Sequence, residues 1–264
     1  MKRVALTITG IQARDLVRSR WILAYTGFFL LLSEGLLRFS GDEAKALLSL
    51  ATASLMIIPL AALVLATIYV YTTREFTELL LAQPIRRSSL YAGLYAGLAL
   101  PAAAGFLIGV ATPFLLRGGG DPSQRGALVA LLLVGTALTC AFTAIAFCVA
   151  LRTEDRLRGV GVSLGVWLLL AVAYDGLVLT IVALFGDYPI ERPVLALMFA
   201  NPIDLGRLLL LMRLDASALL GYTGAVFARF FGGPAGTWLA AGMLLLWIAA
   251  PVAVGARWFR RKDF

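Results

Sequence analysis

The sequence predicts an all-α polytopic membrane protein. Six transmembrane helices are expected, with an N-terminal amphipathic surface helix and a helical outer segment between spans 5 and 6. Three observations predict it. The 264 residues are 61% hydrophobic and only 14% charged, with a mean hydropathy of +0.90; no soluble globular domain has that balance. Several apolar runs exceed the roughly 20 residues that a helix needs to cross a bilayer. The net charge of +8 is also distributed by side rather than along the chain. Fifteen of the 23 basic residues, with six acids, fall on the side of the first residues, and eight basic and seven acidic residues fall on the other. That is the positive-inside bias of a membrane protein, not a nucleic-acid footprint.

The chain reads in order as one transmembrane domain over 1–264. Residues 1–20 mix Lys2, Arg3, Arg14, Arg18 and Arg20 with apolar Val4, Leu6, Ile8, Ile11, Leu16 and Val17. This suits a helix lying on the inner face with its basic side toward anionic lipid. Trp21 marks the interface, and Ile22–Leu37 is span 1, with Glu34 near its outer end, where it can reach the interface. Arg38–Lys45 leads to span 2, Ala46–Val70, which Tyr69 and Tyr71 should anchor at the inner interface.

The island Arg74–Ser89 (REFTELLLAQPIRRSS) separates spans 2 and 3. Phe76, Leu79, Leu80 and Gln83 share helical spacing, while Glu75 and Glu78 take other faces. Pro84 ends the turn, Arg86 and Arg87 follow, and Ser88 or Ser89 is placed to cap the next helix. The pattern fits either a docking surface for a partner outside the membrane or an ordinary loop with positive-inside arginines.

Span 3, Leu90–Leu116, carries Gly93, Gly97, Pro101, Gly105 and Gly109 every four residues, a small-residue ridge for a neighbouring helix or a dimer seam. The loop Arg117–Arg125 (RGGGDPSQR) is turn chemistry. Its glycines lack the Lys-Ser/Thr of a phosphate loop, and no Walker A pattern occurs in the chain. Span 4 is Gly126–Leu151. A second island, Arg152–Arg158 (RTEDRLR), contains Arg152, Glu154, Asp155 and Arg156. Span 5, Gly159–Phe185, has Tyr174 and Asp175 at its middle. An ionised Asp there costs about 2.5–3.5 kcal/mol on insertion scales, so it should face the interior, be protonated or pair with a polar neighbour. It serves either a transport pathway or a structural hydrogen bond.

Gly186–Thr237 is the longest stretch between spans. Asn201, Pro202 and Asp204 form a helix start as N-cap, N1 and N3, and Ile203–Leu214 follows, with Arg207 and Arg213 marking it as interfacial. Ala216–Phe231 is a second helical piece, stopped by Gly232, Gly233 and Pro234. The two pieces should form an outer cap or a partner platform. Span 6, Trp238–Ala256, and the basic tail Arg257–Phe264 return the chain to the cytoplasm.

Cys140 and Cys148 share one apolar run, and there is no histidine. This excludes a disulfide framework and a Cys/His zinc site; the thiols read as packing residues. A membrane enzyme lacks its reactive groups here. An ion-coupled secondary transporter using Asp175 is permitted, but with one central acid and no visible repeat. A transport subunit driven by a separate ATPase accounts for both islands and the missing nucleotide motif together.

The layout resembles the ABC type-two permeases, and more closely the permease of the nitrous-oxide reductase maturation, or copper-processing, transporter. The resemblance rests on Arg18-Ser19-Arg20-Trp21, on Arg74–Arg87 with its Leu-Leu-x-x-Gln-Pro-Ile-x-Arg core, and on Ala173-Tyr174-Asp175 with Leu177. It rests further on Asn201-Pro202-x-Asp204 with Arg207 and on the basic tail. Two departures stand out: Glu75-Phe76-Thr77-Glu78 replaces an acidic-Gly-Thr approach, and Gly93-Leu94 replaces Gly-Lys. The resemblance implies a permease of the bacterial inner membrane, both termini cytoplasmic, without catalysis of its own. It implies a homodimer bound to two ATPase subunits that hold ATP-Mg, no cofactor on this chain and no nucleic acid. Arg74, Glu75, Phe76, Glu78, Leu79, Leu80, Gln83, Pro84, Arg86 and Arg87 would form the coupling contact, and Arg152, Glu154, Asp155 and Arg156 a smaller one. Asn201, Pro202, Asp204 and Arg207 would meet a periplasmic maturation factor. The cargo would be a sulfur- or copper-related species; an exporter of another substrate shares the same architecture.

Overall fold

A computed structural model describes residues 9–10, 19–117, 124–185, 196–214 and 234–262, and all regular structure among them is helical. The helices are α1 (Arg20–Phe39), α2 (Glu43–Thr72), α3 (Arg74–Leu81), α4 (Arg87–Leu116), α5 (Arg125–Arg152), α6 (Arg156–Phe185), α7 (Pro202–Arg213) and α8 (Pro234–Arg261). A helical turn at 196–199 precedes α7. Six of them are long and apolar enough to cross a membrane: α1, α2, α4, α5, α6 and α8 from Gly236. Each contains one expected span. Most of the surface helix expected over 1–20 (all but 9–10 and 19–20), the loop 118–123 and the helix expected over Ala216–Phe231 lie outside the described residues.

Side-chain caps set several helix starts. Asp42 accepts from the Ala44 N–H at 3.0 Å and Asp155 from Leu157 at 2.9 Å, contacts typically worth about 1 kcal/mol each. The start of α4 differs from expectation. Its N-cap is Arg86, with no side-chain cap, because the helix begins at Arg87 and takes Ser88 and Ser89 into its first turn.

α2, α4 and α5 form the centre, with 50%, 61% and 50% of their spanning windows buried, against 6% for α6, which is peripheral. The glycine ridge of α4 serves packing within the chain at its far half. A Cβ on Gly109 would come 2.7 Å from the Thr26 carbonyl of α1, so the glycine lets the two backbones approach. Phe29 of α1 meets Phe106 edge to face there, with ring centroids 5.0 Å apart. Tyr69 is buried in the core against Phe147 rather than anchoring an interface. α6 is tied to α2 by a buried Thr67–Ser163 hydroxyl pair at 2.7 Å and by the Trp167 indole donating to the Met56 carbonyl at 3.0 Å.

The largest departure concerns α7. The sequence marks it as interfacial, in an outer cap or partner platform, and leaves open whether it dips into the bilayer; it packs among α2, α5 and α8. Ile203, Leu205, Leu208 and Leu210 are buried. Asn201, at its start, donates to the Leu170 carbonyl of α6 at 2.8 Å, and the Trp247 indole of α8 donates to the Phe199 carbonyl at 3.0 Å. Leu170 and Trp247 are mid-helix positions, 14 residues from Arg156 and 13 from Pro234. At 1.5 Å per residue that is about 20 Å from either end. At its other end, Arg213 of α7 lines a cleft with Ala130 and Thr237, near the starts of α5 and α8. α7 is therefore a half-depth, re-entrant helix. Irregular backbone at such depth is tolerated only where protein buries it, and the bonds from Asn201 and Trp247 satisfy it.

Candidate functional site

The two charged islands and the chain's last residues meet at one end of the bundle. α3 is amphipathic and lies across that end. Its inward side is fixed by Thr77, which is buried and donates to the Thr73 carbonyl at 2.8 Å, and by Leu80, Leu81 and Ile85, which pack on the core. Phe76 and Leu79 point away and are 40% and 70% exposed. Of the three apolar anchors read from the sequence, two are thus presented outward, and Leu80 is turned to the bundle. Glu75, Glu78, Gln83, Pro84, Arg86 and Arg87 are exposed. Arg74 pairs with Glu78 at 3.0 Å along the helix, with both side chains over 40% exposed.

The second island abuts this surface. Tyr71, at the end of α2, donates to the Thr153 carbonyl at 3.0 Å. Gly159 makes room for the Tyr71 ring, because a Cβ there would collide with it. Asp155 caps α6, and Arg152, Glu154 and Arg156 are exposed. The end of α8 closes the face. Arg87 donates to the carbonyls of Arg260 and Lys262 at 3.0 and 2.8 Å, and Lys262 donates to the Leu151 carbonyl at 2.9 Å. The Arg152 guanidinium lies 4.6 Å from the Trp258 ring centroid, a cation–π distance. Burial pushes the Lys262 ammonium below its usual range; Arg74 adds to this and Glu154 opposes it. The roles of Trp258 and Lys262 had no sequence signal beyond a basic tail. Among described residues, this end gathers Arg74, Arg86, Arg87, Arg152, Arg156, Arg158, Arg257, Arg260, Arg261 and Lys262 against four acids, Glu75, Glu78, Glu154 and Asp155.

A second cluster joins residues that the sequence assigned to two separate sites. Asp175 receives both Arg207 terminal nitrogens, at 3.1 and 3.0 Å. Arg207 also lies 3.3 Å from Asp204, and Asn201 donates to the other Asp204 oxygen at 3.1 Å. Tyr174 donates its hydroxyl to the Leu197 carbonyl. A π-helical turn, Leu169–Ala173, immediately precedes Tyr174, and it holds the Leu170 carbonyl that Asn201 bonds. Asn201, Pro202 and Asp204 are buried, and Arg207 is about one-third exposed. They lie among the spans instead of on a free outer surface. Glu34, by contrast, sits at the opposite end from the islands, paired with Arg38 at 2.5 Å and Arg117 at 2.9 Å. Cys148 donates to the Pro251 carbonyl at 3.2 Å, and the Cys140 carbonyl accepts from Tyr95 at 3.0 Å, which suits packing residues. Among the described residues no group of three or more His, Cys, Asp or Glu could hold a metal ion.

Six spans, a half-depth helix and a basic end bearing an exposed amphipathic helix define a polytopic membrane protein. The chain belongs to the ABC-2 family of transporter proteins, whose profile matches residues 6–264. It is similar to a probable ABC transporter permease protein NosY of Pseudomonas aeruginosa, 29% identical over 279 aligned residues and 98% of both chains. It is also similar to a probable ABC transporter permease protein NosY of Stutzerimonas stutzeri, 27% identical over 95% of this chain and 96% of that one. Membership of this family implies ATP use by a partner ATPase.

Proposed function

We propose that this chain is the membrane-spanning permease subunit of an ABC exporter of the bacterial inner membrane, with the basic end in the cytoplasm. In this reading two copies associate, and each receives one ATPase subunit on the face built by α3, Arg152–Arg158 and the end of α8. The observation that carries it is the exposure of Phe76 and Leu79 on a helix whose opposite side is locked to the spans. A partner groove that takes those two side chains gains a rigid lever into α2 and α4. Arg87, Lys262 and Arg152 would spread the same motion to α5 and α8. The similarity to NosY permeases, together with the resemblance to copper-processing permeases, supports a sulfur- or copper-related cargo for nitrous-oxide reductase maturation. With three of its four expected docking residues buried, contact with a periplasmic factor is proposed for the Gly186–Thr237 segment as a whole.

The test is co-purification with the ATPase. Phe76→Ser with Leu79→Ser should abolish capture while leaving insertion and melting unchanged; undiminished capture would sink the coupling assignment. Reversing Glu78 and Arg87 together should also uncouple, but Arg87 holds the tail, so that variant reports on both contacts at once.

A further inference from the structure

The cluster around Arg207 contains one cation and two acids. Asp175 takes the guanidinium in a two-point grip at 3.1 and 3.0 Å, which leaves Asp204 without an equivalent counter-charge. Asp204 is 3% exposed, and its Oδ1 is buried with no hydrogen-bond partner, although Arg207 lies 3.3 Å away. Arg207 Nη1 lies 3.1 Å from an Asp175 oxygen and 3.3 Å from Asp204 Oδ1, so the two carboxylates are neighbours on one nitrogen. A carboxylate so placed is penalised twice, by loss of water and by a like charge beside it. A proton on Asp204 removes both penalties by neutralising the surplus charge, and it gives up only the 3.3 Å contact with Arg207, which Asp175 already engages at two points.

We propose that Asp175, Arg207 and Asp204 form a proton-binding site at the start of the re-entrant helix α7, in which Asp204 carries the proton while Arg207 neutralises Asp175. Release of the proton to water leaves two carboxylates competing for one guanidinium. It therefore weakens the grip of α7 on α6, which the Arg207–Asp175 pair shares with the Asn201–Leu170 bond. A cleft of about 360 Å³, lined mainly by apolar side chains of α2 and α7 with Thr52 and Ala171, reaches Arg207 and serves in this proposal as the route by which the proton leaves. The Asn201 amide donates to Asp204, and Tyr174, beside Asp175 on α6, gives its hydroxyl to the Leu197 carbonyl. α2, α5 and α8 carry their charged residues only at their ends. Nothing in this site depends on the ATPase-docking face, so the two proposals stand or fall separately.

Infrared titration of the full-length protein in lipid nanodiscs, with isotope-labelled aspartate, tests the site. One labelled protonated-carboxyl band should persist above the ordinary aspartate range, about pH 4, and fade as pH rises. The labelled band should be absent in Asp204→Asn, and in Asp204→Glu it should be replaced by an unlabelled protonated-carboxyl band. Asp175→Asn gives Asp204 sole use of Arg207, so the band should titrate at lower pH or vanish. A wild-type protein without the band, or a band unchanged in Asp204→Asn or Asp175→Asn, would overturn the proposal. If Asp204→Asn does not fold, the Asp204→Glu and Asp175→Asn spectra still decide it.

Discussion

The basic end and the Arg207 cluster both consist of Arg, Asp and Glu on helices, yet they do opposite things with charge. At the basic end the acids and arginines of α3 are exposed, and Arg74 and Glu78 meet along one helix with water around both. At the Arg207 cluster the charges come from two helices, lie at about mid-span depth and are shielded by buried apolar side chains of α7. The difference lies in what supports each place. The basic end is held by bonds to neutral groups, from Tyr71 to Thr153 and from Arg87 and Lys262 to backbone carbonyls, so the exposed Arg74–Glu78 pair of α3 is not what ties it together. In the cluster the ion pair is itself part of the attachment between α6 and α7, beside the Asn201–Leu170 bond.

Removing one ionic partner should therefore separate the two regions most. Arg207→Ala leaves Asp175 and Asp204 without a cation. Breaking a buried pair on one side typically costs 3–5 kcal/mol, and because Arg207 and Asp175 are about one-third exposed, a loss of about 3 kcal/mol is expected. Thermal melting of the purified chain should show it, and Asp175→Asn combined with Arg207→Met should recover part of the loss. If Arg207→Ala melts like the wild type, the cluster is no tie between helices.

The next effect belongs to the buried underside of the basic end. Gly159→Ala puts a methyl into the Tyr71 ring, and overpacking of this kind typically costs about 1–3 kcal/mol. Tyr71 would lose Thr153, and the two islands would part. Melting should fall, and so should ATPase capture, whereas Gly161→Ala, with open space around it, should change neither.

These contrasts also show what a sequence can carry. The six spans were legible because hydropathy and arginine placement are summed over long windows. The start of α7 was legible because Asn201, Pro202 and Asp204 are a local capping signal. The depth of α7 was not. A 12-residue helix with Asp204, Arg207 and Arg213 is too short and too polar to read as a span, and only the partner on α6 reveals that its charge is compensated. Asp175 was flagged as needing a partner, but Arg207 lies 32 residues away, and no spacing rule connects them. The exposed face of α3 was readable from helical periodicity, except at Leu80. Periodicity shows which residues share a face; it does not show where the bundle cuts across that face.

Phe76→Ser alone gives a smaller, cleaner contrast. An exposed aromatic ring contributes little to the fold, so melting should stay put. Capture of the ATPase should weaken by about tenfold, the size of a modest interface anchor, as measured by the ATPase concentration needed for half-maximal binding. Unchanged affinity would move the docking surface elsewhere on the basic end.

The smallest effect is expected from the Arg74–Glu78 pair. Both side chains are more than 40% exposed, and an i,i+4 pair of this kind contributes about 0.3–0.5 kcal/mol. A double-mutant cycle of Arg74→Gln and Glu78→Gln on the isolated permease should give a coupling energy no larger than that, and the coupling should disappear in high salt. The matching cycle of Asp175→Asn and Arg207→Met should give a coupling several times larger and less sensitive to salt, since the pair lies between helices with only about one-third of each side chain exposed. If the two cycles gave equal coupling and equal salt dependence, the Arg207 cluster would be as wet as the basic end. It could then neither hold α7 in the membrane nor retain a proton on Asp204.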